Sequence, residues 1–223
     1  TLTVYARAVN EFRHYHEPDN ATWDPLDDVL LDALYADFDF GAVRLRIGRQ
    51  DLIYGTGKVI LEGTPKDGSR TIYMDAAKAS IDLSDTLTLD AFGIYNKPEA
   101  ELVLNDQERD LTGLDPAYND LTESGGGLYL KSRTLPNFGT ELYYIYKRES
   151  EWVNRAGDPQ PSADIHTGGF RLMPRFGDAV DGNIEIAVQT GERGEFDQDG
   201  LMVDAVLNWH LPVAPSMKPC VGA

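Results

Sequence analysis

From its first residue the chain alternates between apolar and polar positions. Between Thr1 and Tyr15, Leu2, Val4, Ala6, Ala8 and Phe12 share one face of an extended segment, and Thr3, Tyr5, Arg7, Glu11 and Arg13 share the other. Successive side chains of a β-strand point to opposite sides, so this period of two reads as a strand. Val43, Leu45 and Ile47 stand against Arg44, Arg46 and Gln50; Leu87, Leu89 and Ala91 against Thr88 and Asp90; Leu128 and Leu130 against Tyr129, Lys131 and Arg133. Ile184, Ile186 and Val188 oppose Glu185 and Gln189, and Leu201, Val203, Ala205, Leu207 and Trp209 oppose Asp204, Asn208 and His210. The pattern predicts about ten strands, mostly near the length of a tilted membrane strand. The one helix candidate, Leu26 to Leu34 after Pro25, competes with a second strand over Leu30 to Phe40, and the strand is the reading adopted.

The connections add a second pattern. Long polar stretches run over His16–Val29, Tyr54–Arg70, Asn96–Ser124 and Ser150–Ala163, and between them fall short turns at Gly41, Ser84-Asp85 and Pro136-Asn137, with a somewhat longer one over Arg175–Gly182. Long loops on one side and short turns on the other describe an antiparallel up-and-down transmembrane β-barrel. A Greek-key sandwich has less reason to keep that rhythm. Tyr15, Tyr54, Tyr73, Tyr95, Tyr143, Tyr144 and Trp209 stand near strand ends, as the aromatic girdles of membrane barrels do, although tyrosine also favours strands in general.

Composition trims the alternatives. No apolar run approaches the roughly 18 residues a spanning helix needs, which leaves strands as the route through a membrane; a mean hydropathy of -0.36 suits a soluble domain equally well. A formal charge of -17 argues against nucleic acid as a partner. Much of that acid lies between Glu99 and Glu123, where Arg109 is the only base, and it reads first as a solvated loop. Its Asn105-Asp106 and Asn119-Asp120 pairs could offer oxygens to Ca²⁺ but lack the spacing of a calcium loop. The lone Cys220 excludes an intrachain disulfide. His14, His16, His166 and His210 show no metal spacing. Gly125-Gly126-Gly127 opens a strand and not a helix, so it is no phosphate cradle. With no nucleophile–base pattern either, no enzyme is expected. Thr1 reads as strand sequence and Met217–Ala223 as the start of another element, so residues 1–223 are taken as one domain forming a fragment of a larger barrel.

The run Val43–Gly55, with Gly48-Arg49-Gln50 and then Tyr54-Gly55, resembles the strand and loop of the alginate-export family. Asn10-Glu11-Phe12-Arg13 upstream is similar to that family's first strand, Gly68-Ser69-Arg70-Thr71 to the segment after its loop, and Asp164–Gly169 with Glu185–Gly191 to its later paired strands. These landmarks occur in family order across nearly the whole chain. The resemblance implies a monomeric channel in the outer membrane of a Gram-negative bacterium, passing an anionic polysaccharide or sugar acid through a lumen lined with arginine and lysine.

On a barrel, the face opposite the apolar one points to the lumen, because a charge facing hydrocarbon at midplane costs about 2–4 kcal/mol. That face carries Arg7, Arg13, Arg44, Arg46, Lys131, Arg133 and Arg171, with Arg49 near a strand end, and the acids Glu11, Asp75, Asp90, Glu141, Glu185 and Asp204. Basic side chains around a narrow channel attract anions, and the guanidinium fork suits carboxylates. The competing reading is mutual pairing that fills the lumen without touching a solute. Arg44, Arg46 and Arg49 have no acid among them before Asp51 and form the expected anion path. The alternatives are a soluble β-sandwich that binds carbohydrate and a general or phosphate-selective porin.

Overall fold

A computed structural model describes residues 1–14, 23–60, 73–97, 121–153, 157–210 and 220–222. The long strands are β1 (Leu2–His14), β2 (Trp23–Asp39), β3 (Val43–Gln50), β4 (Met74–Ser84), β5 (Leu87–Asn96), β6 (Glu123–Leu135), β7 (Phe138–Glu149), β10 (Ala163–Phe176), β11 (Val180–Arg193) and β13 (Gly200–His210). Short strands complete the set: β8 (Trp152–Val153) with β9 (Pro159–Gln160), β12 (Phe196–Asp197) and β14 (Cys220–Gly222). The described residues contain no helix.

The protein is an all-β antiparallel meander. One sheet runs β1-β2-β3-β4-β5-β6-β7-β10-β11-β13-β14, each strand antiparallel to the next, with β12 paired to β11 and β8–β9 a separate hairpin. Ten long strands match the alternation in the sequence. The sandwich alternative requires two facing sheets, and the strand order gives one. The second strand starts at Trp23, ahead of the expected Leu30, because pairing with β1 continues from Leu2↔Phe38 to His14↔Trp23. Pro25 is tolerated there: β3 pairs only with Leu34–Asp39, so the other edge at Pro25 needs no donor. The turn expected over Arg175–Gly182 is tighter, residues 177–179. The link between β11 and β13, 194–199, is short although it falls on the long-loop side.

The two faces of the sheet are unlike, and the apolar one is open. Leu2, Leu142 and Leu201 are 60%, 60% and 73% exposed. Val4, Ile47, Leu128, Val188, Val203 and Trp209 continue that exposed band from β1 to β13. The polar face holds the enclosed residues: Asp90, Tyr129 and Glu185 are each 1% exposed. In a water-soluble sheet protein the apolar face is the one that is covered.

The polar face is also the concave one. Segment 51–60, which leaves β3, crosses this face, and the backbone N–H of Thr56 donates to Glu185 on β11 at 2.9 Å. Six residue steps lead from Gln50 to Thr56, and they span at most about 21 Å even fully extended. Six flat inter-strand spacings from β3 to β11 cover about 29 Å. The segment is not extended, since Gly57 N–H donates to Tyr54 O and Tyr54 pairs with Ile60. The sheet therefore curls around the segment.

Candidate functional site

Strand register brings charges into rows on the concave face. Lys131, Glu141, Arg171, Glu185 and Asp204 lie directly opposite one another on β6, β7, β10, β11 and β13. Asp37, Arg46 and Lys78 form a similar row on β2, β3 and β4. Cross-strand neighbours on one face lie about 5 Å apart, so opposite charges in such a row satisfy one another and like charges repel. Arg171 pairs with Glu141 at 3.2 Å and also bonds Asn183. Lys131 reaches Asp90 at 2.8 Å. Glu185 has no cation within ion-pair distance among the described residues. Three neutral donors hold it instead: Thr56 N–H at 2.9 Å, Thr56 Oγ1 at 2.7 Å and Tyr143 OH at 2.9 Å. A buried carboxylate is tolerable on those terms, because its oxygens are occupied.

Segment 51–60 is built to sit on this surface. Tyr54 stacks on Tyr129 with centroids 4.3 Å apart and on Phe92 at 5.2 Å, and Tyr129 stacks on Tyr143 at 5.2 Å. The Tyr54 hydroxyl donates to Asp90 at 3.1 Å. Burial, with Asp90 beside it, pushes the Tyr54 phenol above its ordinary value, so it stays a donor. Leu52 and Ile60 join Ala76, Ile145 and Ala187 in the enclosed cluster. Lys58 closes the far side with an ion pair to Asp204 at 2.5 Å. Gly55 is required twice: its φ is +62°, and a Cβ there would stand 2.5 Å from Glu185 Oε1.

The root of the segment is clasped on both faces of the sheet. Gln50, fully enclosed, donates to Gly48 O at 3.1 Å and Ala76 O at 3.0 Å. Arg49 falls by alternation on the face of Leu45 and Ile47. It makes a two-pronged pair with Asp75, both bonds 3.0 Å, donates to Leu31 O at 3.2 Å, and lies 3.7 Å from the centre of the Tyr73 ring. Arg49 joins the residues just before the 51–73 connection to those just after it. No family model matches this chain, and no curated protein does.

The bases expected to line the path are placed unequally. Arg44, Arg46, Lys131 and Arg171 share the concave face, each with an acid: Asp82 at 3.1 Å, Asp37 at 2.7 Å, Asp90 and Glu141 respectively. Arg46 also lies over the Tyr35 ring, 3.9 Å from its centre. Arg7 faces Asp51 at 3.7 Å. Arg133 is exposed at the turn end of β6. Arg49 leaves the expected group, because its odd position in β3 carries it to the opposite face. Arg13 lies on β1, but its side chain is outside the described residues, as are Tyr15, Arg70, the Asn105-Asp106 and Asn119-Asp120 pairs and most of the acidic loop. No cluster of metal-ligating side chains occurs among the described residues.

Two features escaped the sequence reading. Lys78 completes a cleft of about 450 Å³ at the short-turn end, lined by Arg44, Arg46, Thr3 and Ser80, and its ammonium has no ion pair among the described residues. Its alternation in Met74–Ser84, between Ala77 and Ala79, was the available signal. The inward course of segment 51–60 is the other. Tyr54 and Tyr143, read as girdle residues, point into the concave face; Tyr95, Tyr144 and Trp209 remain exposed.

Proposed function

We propose that this chain forms part of an outer-membrane β-barrel channel of a Gram-negative bacterium, a monomer that conducts solutes and does not catalyse a reaction. One observation carries the reading: a single curled sheet exposes its apolar face and encloses its charged one. Lipid as the partner of the apolar face accounts for that inversion, since hydrocarbon replaces the missing protein layer. From β1 to β11 the short turns and long connections fall on opposite sides, as they do in such barrels.

The solute proposed is an anionic polysaccharide or a sugar acid, in the manner of the alginate-export family. Its support is local. At the short-turn end Arg44 is half exposed and Lys78 is without an ion pair among the described residues, beside the hydroxyls of Thr3 and Ser80. Deeper in, acids balance the bases, so a passing anion is held weakly and handed on, as conduction requires. Segment 51–60 narrows this path. The test is reconstitution: heat-modifiable migration in detergent, then ion selectivity and uronate-dependent conductance in planar bilayers, comparing wild type with Arg44→Glu and Arg46→Glu. Anion preference lost in both variants supports the path. A protein that remains monodisperse without detergent, or a selectivity untouched by either change, refutes it.

A further inference from the structure

The concave face changes character toward the long loops. Above the row that ends in Glu185 and Asp204 the inward positions become Ile145 on β7, Ala187 on β11 and Met202 on β13, and only beyond them do Lys147, Glu149 and Arg193 restore charge. Leu52 and Ile60 of the inward segment cover part of this apolar belt. The remainder is left as a cavity of about 340 Å³ with a mixed lining, apolar at Val59, Ile145, Ile165 and Met202 and polar at Lys58, Lys147, Thr167 and Gln189. That volume lies within the size range of small-molecule sites, which pair apolar walls with a few polar groups.

The polar groups at its edge supply donors. Lys58 spends one N–H on Asp204 at 2.5 Å and keeps two without partners among the described residues. Lys147 spends two, on Glu123 at 2.5 Å and Glu149 at 2.8 Å. Thr167 accepts from Gln189 at 3.1 Å, which leaves its own hydroxyl hydrogen available. The acids nearby are already engaged: Glu149 also takes Arg193 at 2.5 Å. The geometry points to a binding station for a small monocarboxylate with an apolar body, an aromatic or branched aliphatic acid, its ring or chain against Ile145 and Ile165 and its carboxylate on Lys58. A sugar acid offers the same head group but sets some of its hydroxyls against the aliphatic part of the lining, which cannot hydrogen-bond them. The inference rests on the channel reading for its biological sense, since a balanced, partly apolar station binds weakly enough to release its solute.

The test separates the two. Binding of benzoate, glucuronate and benzyl alcohol to the full chain in detergent micelles is followed by calorimetry, and conductance is recorded independently in bilayers. Benzoate is expected to bind in the millimolar range, at least about tenfold tighter than glucuronate or benzyl alcohol. Lys58→Gln and Ile165→Ser are each expected to weaken it about tenfold. Lys58→Arg, which keeps the pair to Asp204, is expected to retain binding. Equal binding of glucuronate overturns the apolar body, equal binding of benzyl alcohol overturns the carboxylate, and affinity unchanged in Lys58→Gln and Ile165→Ser overturns the location. Loss of conductance with benzoate binding intact sinks the channel reading and leaves the station standing.

Discussion

Replacing Tyr54 with alanine removes the centre of the contact between segment 51–60 and the sheet. The ring is 6% exposed, stacks on Tyr129 and Phe92, and carries the hydroxyl bonded to Asp90. Truncating a buried aromatic costs about 3–5 kcal/mol, part of it from ring contacts worth about 0.5–1.5 kcal/mol each. Both ends of the segment remain joined to β3 and β4, so the loss falls on docking and not on the strands. At about 3 kcal/mol the ratio of docked to undocked segment drops over a hundredfold. Two readouts follow from that. Conductance in planar bilayers rises, and trypsin cleaves faster after Lys58, whose pairing with Asp204 depends on docking. Tyr54→Phe is the control: it keeps both stacks and loses one hydrogen bond, about 1 kcal/mol, while Asp90 retains Lys131. The reasoning fails if Tyr54→Ala inserts normally yet matches wild type in both conductance and cleavage at Lys58.

Gly55→Ala is expected to loosen the same segment by about 1–3 kcal/mol, through its positive φ and the approach to Glu185, and to raise cleavage at Lys58 as well. Leu142→Arg, on the exposed apolar face, is expected to cost about 2–4 kcal/mol in urea titrations of lipid-reconstituted protein, whereas the same change at exposed Leu135 near a turn costs about 1 kcal/mol or less; equal effects at both sites count against a lipid-facing band. Lys78→Glu, which leaves the Arg46–Asp37 pair in place, is expected to move the reversal potential toward cations in asymmetric salt, and an unmoved potential removes Lys78 from the path.

The strands were legible because a half-polar sheet writes its faces into alternate residues. Val43–Gln50 shows both the power and the limit of that signal. Alternation places Arg44 and Arg46 together on the concave face, and the same rule, applied three residues further, sends Arg49 to the other side. The motif-like run Gly48-Arg49-Gln50 with Tyr54-Gly55 was visible as a string, but its physical jobs were not. Arg49 and Gln50 clasp the root of a segment whose destination, Glu185, lies 129 residues away. No local pattern encodes a contact of that separation. Charge pairing was hidden for the same reason: Lys131 meets Asp90 and Arg171 meets Glu141 only through register between strands.

That remoteness has a consequence for assembly. Residues 51–60 are synthesised well before their seats, Glu185 and Asp204, which lie 129 and 146 residues beyond Thr56 and Lys58. Contacts between distant parts of a chain form late, after the closure entropy has been met. Segment 51–60 therefore cannot be seated until the strands that carry Glu185 and Asp204 have joined the sheet, and before then it hangs loose, where a protease can distinguish unfinished molecules from finished ones.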